Sequence, residues 1–350
     1  YFSKPFLKAF EIANPQIEFK YISIADAHKN TVALALVQAI RLNVEGMLKN
    51  IKVAPFVRKG LGLLFCNEHI KIMFCGNVFL SGEHGISASK NASKKDVYSE
   101  IGTALDAVAA NTNPMHAIFI KDFKLASLAN TKQFLNFGYS EIKVEPNMII
   151  QLKPEWKNFE DYKNILKSKY RVKANKADSK SSSLETRLFC DEDFETYKHE
   201  LQALYQNTID KASFNAQVLN LDTYSHLSHA LKENFIVKGY FLENRLIGFL
   251  TALVNDNKLD AHFIGLDYEL NKSHAIYPRI LNDYVRIGIE KQVSSINLGR
   301  TASEIKTTIG ASPLELSCYI KHKNPFLNSL VKPFFRRIRI KGFKQHSPFK

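Results

Sequence analysis

A short apolar run ends in a glycine at Ile296-Asn297-Leu298-Gly299, and Arg300, Thr301, Glu304 and Lys306 follow closely, ahead of Gly310-Ala311. A strand, a glycine turn and the start of a helix, in that order, gather backbone N–H groups and polar side chains, which suits an anionic group. Arg300 and Lys306 supply positive charge that can hold an anionic donor or a developing oxyanion. Glu304 is a candidate proton acceptor, although Thr301 followed by Glu304 also matches a helix capping box. Asp267 and Tyr277 are further candidate bases, and Arg279 a further charge-stabilising group. Gly299 and Thr301 complete the candidate donor-binding set. The chemistry requires the guanidinium of Arg300 and the ammonium of Lys306 to converge on a concave surface roomy enough for an activated carboxyl donor.

A second loop, Cys75-Gly76-Asn77-Val78-Phe79-Leu80-Ser81-Gly82-Glu83-His84-Gly85, places three glycines and several polar groups after a buried strand. Glu83 and His84 fit two readings: an acceptor-side base pair, since histidine titrates near neutrality, or a tight turn with a hydrogen-bonded imidazole. With two domains face to face, this loop and the Gly299-Arg300 junction would border one cleft. No phosphate-binding Walker loop, dinucleotide fingerprint or zinc spacing is present, so no metal is expected. The four cysteines, Cys66, Cys75, Cys190 and Cys318, form no CxxC pair. Cys66 and Cys75 can be hairpin neighbours, and a reducing, cytoplasmic compartment is the simplest expectation.

The elements that must position these residues follow from periodicity. The length of 350 residues predicts about two domains. In the first half, helices are predicted over 3–13, 96–110 and 125–137, and strands over 17–24, 31–42, 70–75, 117–120 and 141–152. The second half repeats that order. A strand at 185–190 and helices at 193–210 and 221–233 precede strands at 235–242, 245–254 and 258–266. A long helix at 275–291, a strand at 295–298 and a closing strand at 314–320 complete it. The fold class is therefore α/β with mixed, largely antiparallel sheets and helices on their faces, in two tandem domains. The boundaries are 1–153, a basic connecting segment at 154–183, a second domain at 184–324, and a basic apolar tail at 325–350. The connecting segment reads as an amphipathic helix (Trp156, Phe159, Tyr162, Ile165, Leu166) running into Lys167, Lys169, Arg171, Lys173 and Lys176. That basic run is either a solvated linker helix or a positive wall facing an anionic ligand such as a phosphate.

The order strand, Gly299-Arg300, small polar residues, Lys306, Gly310 resembles the late motif of FemAB-like members of the GNAT superfamily. The helix beginning Tyr277-Pro278-Arg279 is similar to that family's long helix before the strand, and 162–176 to its Tyr-then-basic segment. The resemblance is clearest over 156–323. Two departures stand out: Asn297 occupies a position where many relatives carry Asp, and no pyrophosphate-loop signature follows 259–266. The resemblance implies two GNAT-like domains and an N-acyltransferase acting on an amine acceptor such as a lipid or peptidoglycan precursor. It implies acyl-CoA or acyl carrier protein as co-substrate, with no tightly bound cofactor. A tRNA-dependent aminoacyltransferase and a non-catalytic ligand-binding scaffold are the alternatives.

The net charge of +14 is uneven. From Leu316 to Lys350 there is no Asp or Glu, while Lys321, Lys323, Lys332, Arg336, Arg337, Arg339, Lys341, Lys344 and Lys350 are interleaved with apolar residues. That pattern suits an anionic membrane surface, with a short helix between Pro325 and Pro333 lying on the bilayer. It also suits nucleic acid, or a tail that serves solubility, while tRNA would suit the basic 167–176 helix. No apolar run reaches the ~20 residues a membrane helix needs, so a peripheral place on the inner membrane face is the expectation.

Overall fold

The computed structural model describes residues 1–43, 69–212, 215–335, 340 and 342–350. Cys66, Arg336, Arg337, Ile338, Arg339 and Lys341 lie outside the described residues. Helix α1 (Lys4–Ala13) turns Phe6, Leu7, Phe10 and Ala13 inward, the spacing of one helical face. Strands β1 (Glu18–Ala25), β2 (Thr31–Asn43), β3 (His69–Cys75) and the short β4 (Ile86–Ala88) lead to helix α2 (Lys94–Ala110) and strand β5 (Ala117–Lys124). Residues 125–137 form short helical turns in place of the predicted single helix, ending at Gly138 with φ +81. Strand β6 (Ser140–Gln151) closes this half.

Helices α3 (Phe159–Asn164) and α4 (Ser168–Lys180) make the connection. Periodicity predicts one continuous helix here, but the chain breaks between them. Lys167 donates its N–H to the carbonyl of Pro348 at 2.8 Å, and Lys350 donates to the carbonyl of Ile165 at 3.0 Å. Those bonds come from the far end of the chain, so no local pattern shows them.

The second half contains β7 (Glu185–Leu188), α5 (Asp191–Thr196), α6 (Lys198–Lys211), α7 (Asp222–Leu231), β8 (Phe235–Leu242), β9 (Arg245–Asn255) and β10 (Lys258–Leu266). It continues through α8 (Tyr268–His274), α9 (Ile276–Glu290), β11 (Ser295–Asn297), α10 (Ser303–Thr307), β12 (Ser312–His322) and α11 (Pro325–Phe335).

The twelve strands of the described residues join one sheet, in the order β1-β2-β3-β5-β12-β6-β11-β10-β9-β8-β7, with β4 on β2. Two neighbouring pairs are parallel. Strands β3 and β5 pair from Ile72↔Ala117 to Cys75↔Ile120, and β10 and β11 from Lys258↔Ser295 to Asp260↔Asn297. Each pair is joined by a crossover containing a helix, α2 or α9, as parallel neighbours require.

The closing strand departs from the expectation. The sequence order assigns 314–320 to the second half, yet β12 lies in the first half, antiparallel to both β5 (Tyr319↔Ile120) and β6 (Leu316↔Val144). Alternation identifies a strand but not its partner. The cores are shared as well. Phe6 and Phe10 of α1 join Leu201, Tyr205, Tyr224 and Phe249 in one cluster on one face of the sheet. Asn14 ties the halves there, donating to Thr223 Oγ1 at 3.1 Å and accepting the Asn220 N–H at 3.1 Å.

Because β12 belongs covalently to one half and structurally to the other, the chain should unfold as one unit. Tyr319 is fully buried, and its hydroxyl lies 3.0 Å from Thr131 Oγ1. Tyr319→Ala is expected to cost about 3–5 kcal/mol. In urea it should shift the fluorescence transition of Trp156, which lies in the core of the second half, together with the far-ultraviolet signal. Separate transitions would show independent halves.

Candidate functional site

Beyond Asn297 the chain leaves the sheet through a strained turn. Gly299, Thr301 and Ala302 all have left-handed φ (+70, +62 and +46), a costly run for the two side-chain-bearing residues. Lys306 holds it. Its buried ammonium reaches back from α10 and donates to the carbonyls of Leu298 and Arg300, both at 2.7 Å, and more weakly to Gly299 at 3.4 Å. Burial lowers its pKa to about 7. Lys306 thus serves as an internal clamp on the turn. The predicted capping box is absent: Ala302 occupies the cap position with no side-chain bond, Thr301 is exposed, and Glu304 faces out, 3.5 Å from His346 Nε2. The left-handed cap leaves Thr301 outside the geometry a capping box needs.

Arg300 crosses to the first half and pairs with Asp122, a residue that sequence reasoning missed. Asp122 is fully buried at φ +67 in β5. Its carboxylate also accepts the Gly82 N–H at 3.0 Å and the Cys318 thiol at 3.3 Å, with the Lys121 ammonium 3.7 Å away. Burial alone would raise its pKa, but the charges of Lys121 and Arg300 and the Gly82 hydrogen bond outweigh it and hold the carboxyl below its ordinary value. Nothing in the composition around Asp122 distinguishes it from a surface aspartate of a strand.

The 75–85 loop does meet the Gly299-Arg300 junction. The Ser81 carbonyl accepts from Asn147 at 3.1 Å and from Asn297 at 3.3 Å, and Asn297 also donates to Asp260 at 2.7 Å. Gly82 sits at φ +123, where a Cβ would lie 2.9 Å from the His84 ring. Glu83 and His84 have separate partners. Glu83 accepts the Lys124 N–H at 3.1 Å and the Ser127 hydroxyl at 2.7 Å, while His84 packs edge-on against Tyr1 and burial lowers its pKa.

The other sequence candidates are bound into the scaffold. Asp267 caps α8, accepting from Glu269 and Leu270, and pairs with Arg245 at 2.5 Å. Arg279 donates to the buried Asp283 at 3.0 Å and to Ser181 Oγ at 3.1 Å. Asp283 also takes Lys238 at 2.9 Å, Arg286 at 2.7 Å and the Tyr240 hydroxyl at 2.9 Å, making it a structural hub. Burial raises the Tyr277 hydroxyl pKa well above its usual value, so it is a poor base.

A cavity of about 430 Å³ lies elsewhere, between α4, the α8–α9 junction and α10. Leu166, Ala174, Ala177, Leu281, Ile305 and Ile309 give it apolar walls, and Lys173, Lys176, Lys180 and Lys272 line it as well. The first three lysines recur at i, i+3 and i+7, one helical face. Small residues at 174 and 177 let α4 approach α9, where Asn282 donates to the Ala174 carbonyl and to Asp178, both at 3.0 Å. Among the described residues no acidic side chain lines the cavity. Among the described residues none of its four lysines is ion-paired: Lys180 donates to the Lys272 carbonyl at 3.1 Å, and Lys173 sits 5.8 Å from the Tyr170 ring centroid. The basic run read from the sequence therefore reaches a cavity wall through Lys173 and Lys176. Lys180 belongs to the same helix, although Lys180-Ser181-Ser182-Ser183 reads as a loose linker. Arg300 and Lys306 do not line this cavity: Ile305, Thr308 and Ile309 of the α10 region do, while the Lys306 ammonium is turned onto the 298–300 backbone.

Solved proteins share this overall fold. FemX superposes with TM-score 0.57 over 94% of this chain and 93% of its own, at 10% identity. L-PGS from Bacillus licheniformis gives 0.54 over 96% and 97%, at 9% identity. A tandem GNAT protein from the clavulanic acid biosynthesis pathway gives 0.50 over 91% and 88%, at 6% identity. The chain shares the fold of these proteins, two GNAT-like domains in tandem. No protein-family model matches the sequence, and no curated protein matches it.

Within this fold the Arg300–Asp122 pair is a polar bolt between the two halves. Breaking a buried pair on one side costs about 3–5 kcal/mol, the loss expected for Asp122→Asn in urea unfolding. The Asp122 pKa is depressed in the folded state. Its contribution is therefore complete above the unfolded carboxyl pKa and lost as pH falls through the lower folded value. The stability gap between wild type and Asp122→Asn should be constant from pH 6 to 8 and shrink below about pH 4. A gap that widens in acid would contradict this assignment.

Proposed function

We propose that the protein is an acyltransferase in the broad sense, moving an acyl or aminoacyl group from an activated donor with anionic groups to an amine acceptor. The observation that carries this reading is the four-lysine cavity with apolar walls, set in a fold shared with FemX and with L-PGS. Unpaired ammonium groups attract phosphate oxygens, and apolar walls suit the organic part of an activated donor. The deprotonated amine attacks the donor carbonyl, the C–N bond forms as the thioester or ester bond breaks, and the leaving group departs with the proton. The protein has to bind, orient and stabilise negative charge on the carbonyl oxygen.

The donor can be an acyl-CoA, an acyl carrier protein or a charged tRNA, and one observation favours the tRNA reading. After β10, where GNAT proteins of the usual kind carry a pyrophosphate loop, the Asp267 carboxylate accepts the Glu269 and Leu270 N–H groups at the start of α8. At the start of α9, Asn271 takes the Tyr277 N–H at 2.8 Å. Both helix starts are closed to a pyrophosphate. The donor's negative charge falls instead to the lysines of α4.

Donor binding reads this out directly. Thermal shift with acyl-CoA, acyl carrier protein and charged tRNA should show stabilisation by one of them, because a ligand of the native state raises its apparent stability. Lys173→Glu with Lys176→Glu should weaken that ligand about tenfold or more, while Lys157→Glu, exposed and off the cavity, should not. Steep loss of affinity with salt would identify tRNA. Equal binding by the double variant would remove the cavity from the mechanism. Binding without transfer to any amine would leave a ligand-binding scaffold.

A further inference from the structure

Helix α11 is built with its apolar side outward. Its inner side is fixed to the first domain: Asn328 donates to the Gly138 carbonyl at 2.9 Å and accepts the His322 N–H at 2.9 Å, and Val331 is buried. Asn324 caps its start, accepting from Phe326 at 2.9 Å and Leu327 at 3.2 Å. Anchored in this way, the helix holds Phe326 at 72% exposure and Leu330 at 55%, one turn apart on the same face, with Pro325, Ser329 and Pro333 exposed around them. A solvated helix face ordinarily carries charged or polar side chains. This one carries no acid, and none occurs from Leu316 to Lys350.

Lysines flank this face, and one acid, Glu141, lies in the small cavity beside Lys332. Lys323 lies just before the helix and Lys332 near its end. Beside it, Leu135 is 42% exposed and shares a small cavity with Lys332. We propose that the outward face of α11 is a docking surface for an anionic lipid bilayer, with Phe326 and Leu330 entering the acyl boundary and the flanking lysines meeting lipid headgroups. This placement is independent of the transfer reaction. Charge decides between occupants. A second copy of the chain docked on the same face would set lysines against lysines, whereas an anionic bilayer offers an apolar interior under a negative surface.

Co-sedimentation with vesicles of phosphatidylglycerol and phosphatidylcholine in equal parts, against vesicles of phosphatidylcholine alone, tests the surface. Wild type is expected to prefer the anionic vesicles. Phe326→Glu with Leu330→Glu should bind them at least about tenfold more weakly. Leu125→Glu, at a site 71% exposed outside α11, should bind like wild type. Trp156 is the single native tryptophan and is buried. A Phe326→Trp variant should therefore show new fluorescence that brominated lipids quench, a readout that survives if the double variant folds poorly. Unchanged binding by a folded double variant overturns the proposal, as does new fluorescence in the Phe326→Trp variant that brominated lipids leave unquenched. A wild-type dimer that ignores vesicles and is abolished by the double variant would assign the face to a second copy and equally overturn it.

Discussion

Strands β5 and β6 would each present a row of unpaired amides and carbonyls in the middle of the molecule if β12 did not lie between them. Burying such an edge without partners costs free energy at every residue along it, so the sheet is continuous only when the chain's last strand returns to the first domain. That return carries consequences. The two domains share a sheet and a face of the core, with α1 and α7 tied through Asn14. It also brings Cys318 against Asp122 and leaves α11 anchored on the first domain while the final residues run back to α3 and α4.

The charged groups divide into two kinds, and the division is informative. Asp122, Asp283 and Lys306 are buried and satisfied, each bonded to several partners, as a buried ion must be to persist. Their multiple partners make them bolts and clamps. Lys173, Lys176, Lys180 and Lys272 are the opposite case, aligned on a cavity with apolar walls and with no carboxylate among its lining residues. All four are exposed to solvent, which screens their mutual repulsion.

The two domains repeat one device. In each, a parallel pair of strands is joined across a helix, and the outgoing strand, β5 or β11, is followed or ended by a left-handed residue and a charged side chain. Asp122 in the first and Arg300 in the second meet across the interface. The duplication therefore supplies the geometry of the interface as well as the architecture.

Periodicity and composition by themselves determined the order of elements, the α/β class, the two-domain plan and the basic character of the segment that becomes α4, because these depend on contacts within a few residues along the chain. They also marked Gly299-Arg300 and the 75–85 loop as neighbours. Partners distant in sequence were decided only by the tertiary structure. The place of β12, the break before α4, the Arg300–Asp122 pair and the turning of the Lys306 ammonium onto its own turn all rest on such contacts. A lysine reads the same in sequence whether it clamps a carbonyl or waits at a cavity. The distinction comes from burial and from which other charges lie within reach, and both are properties of the folded chain.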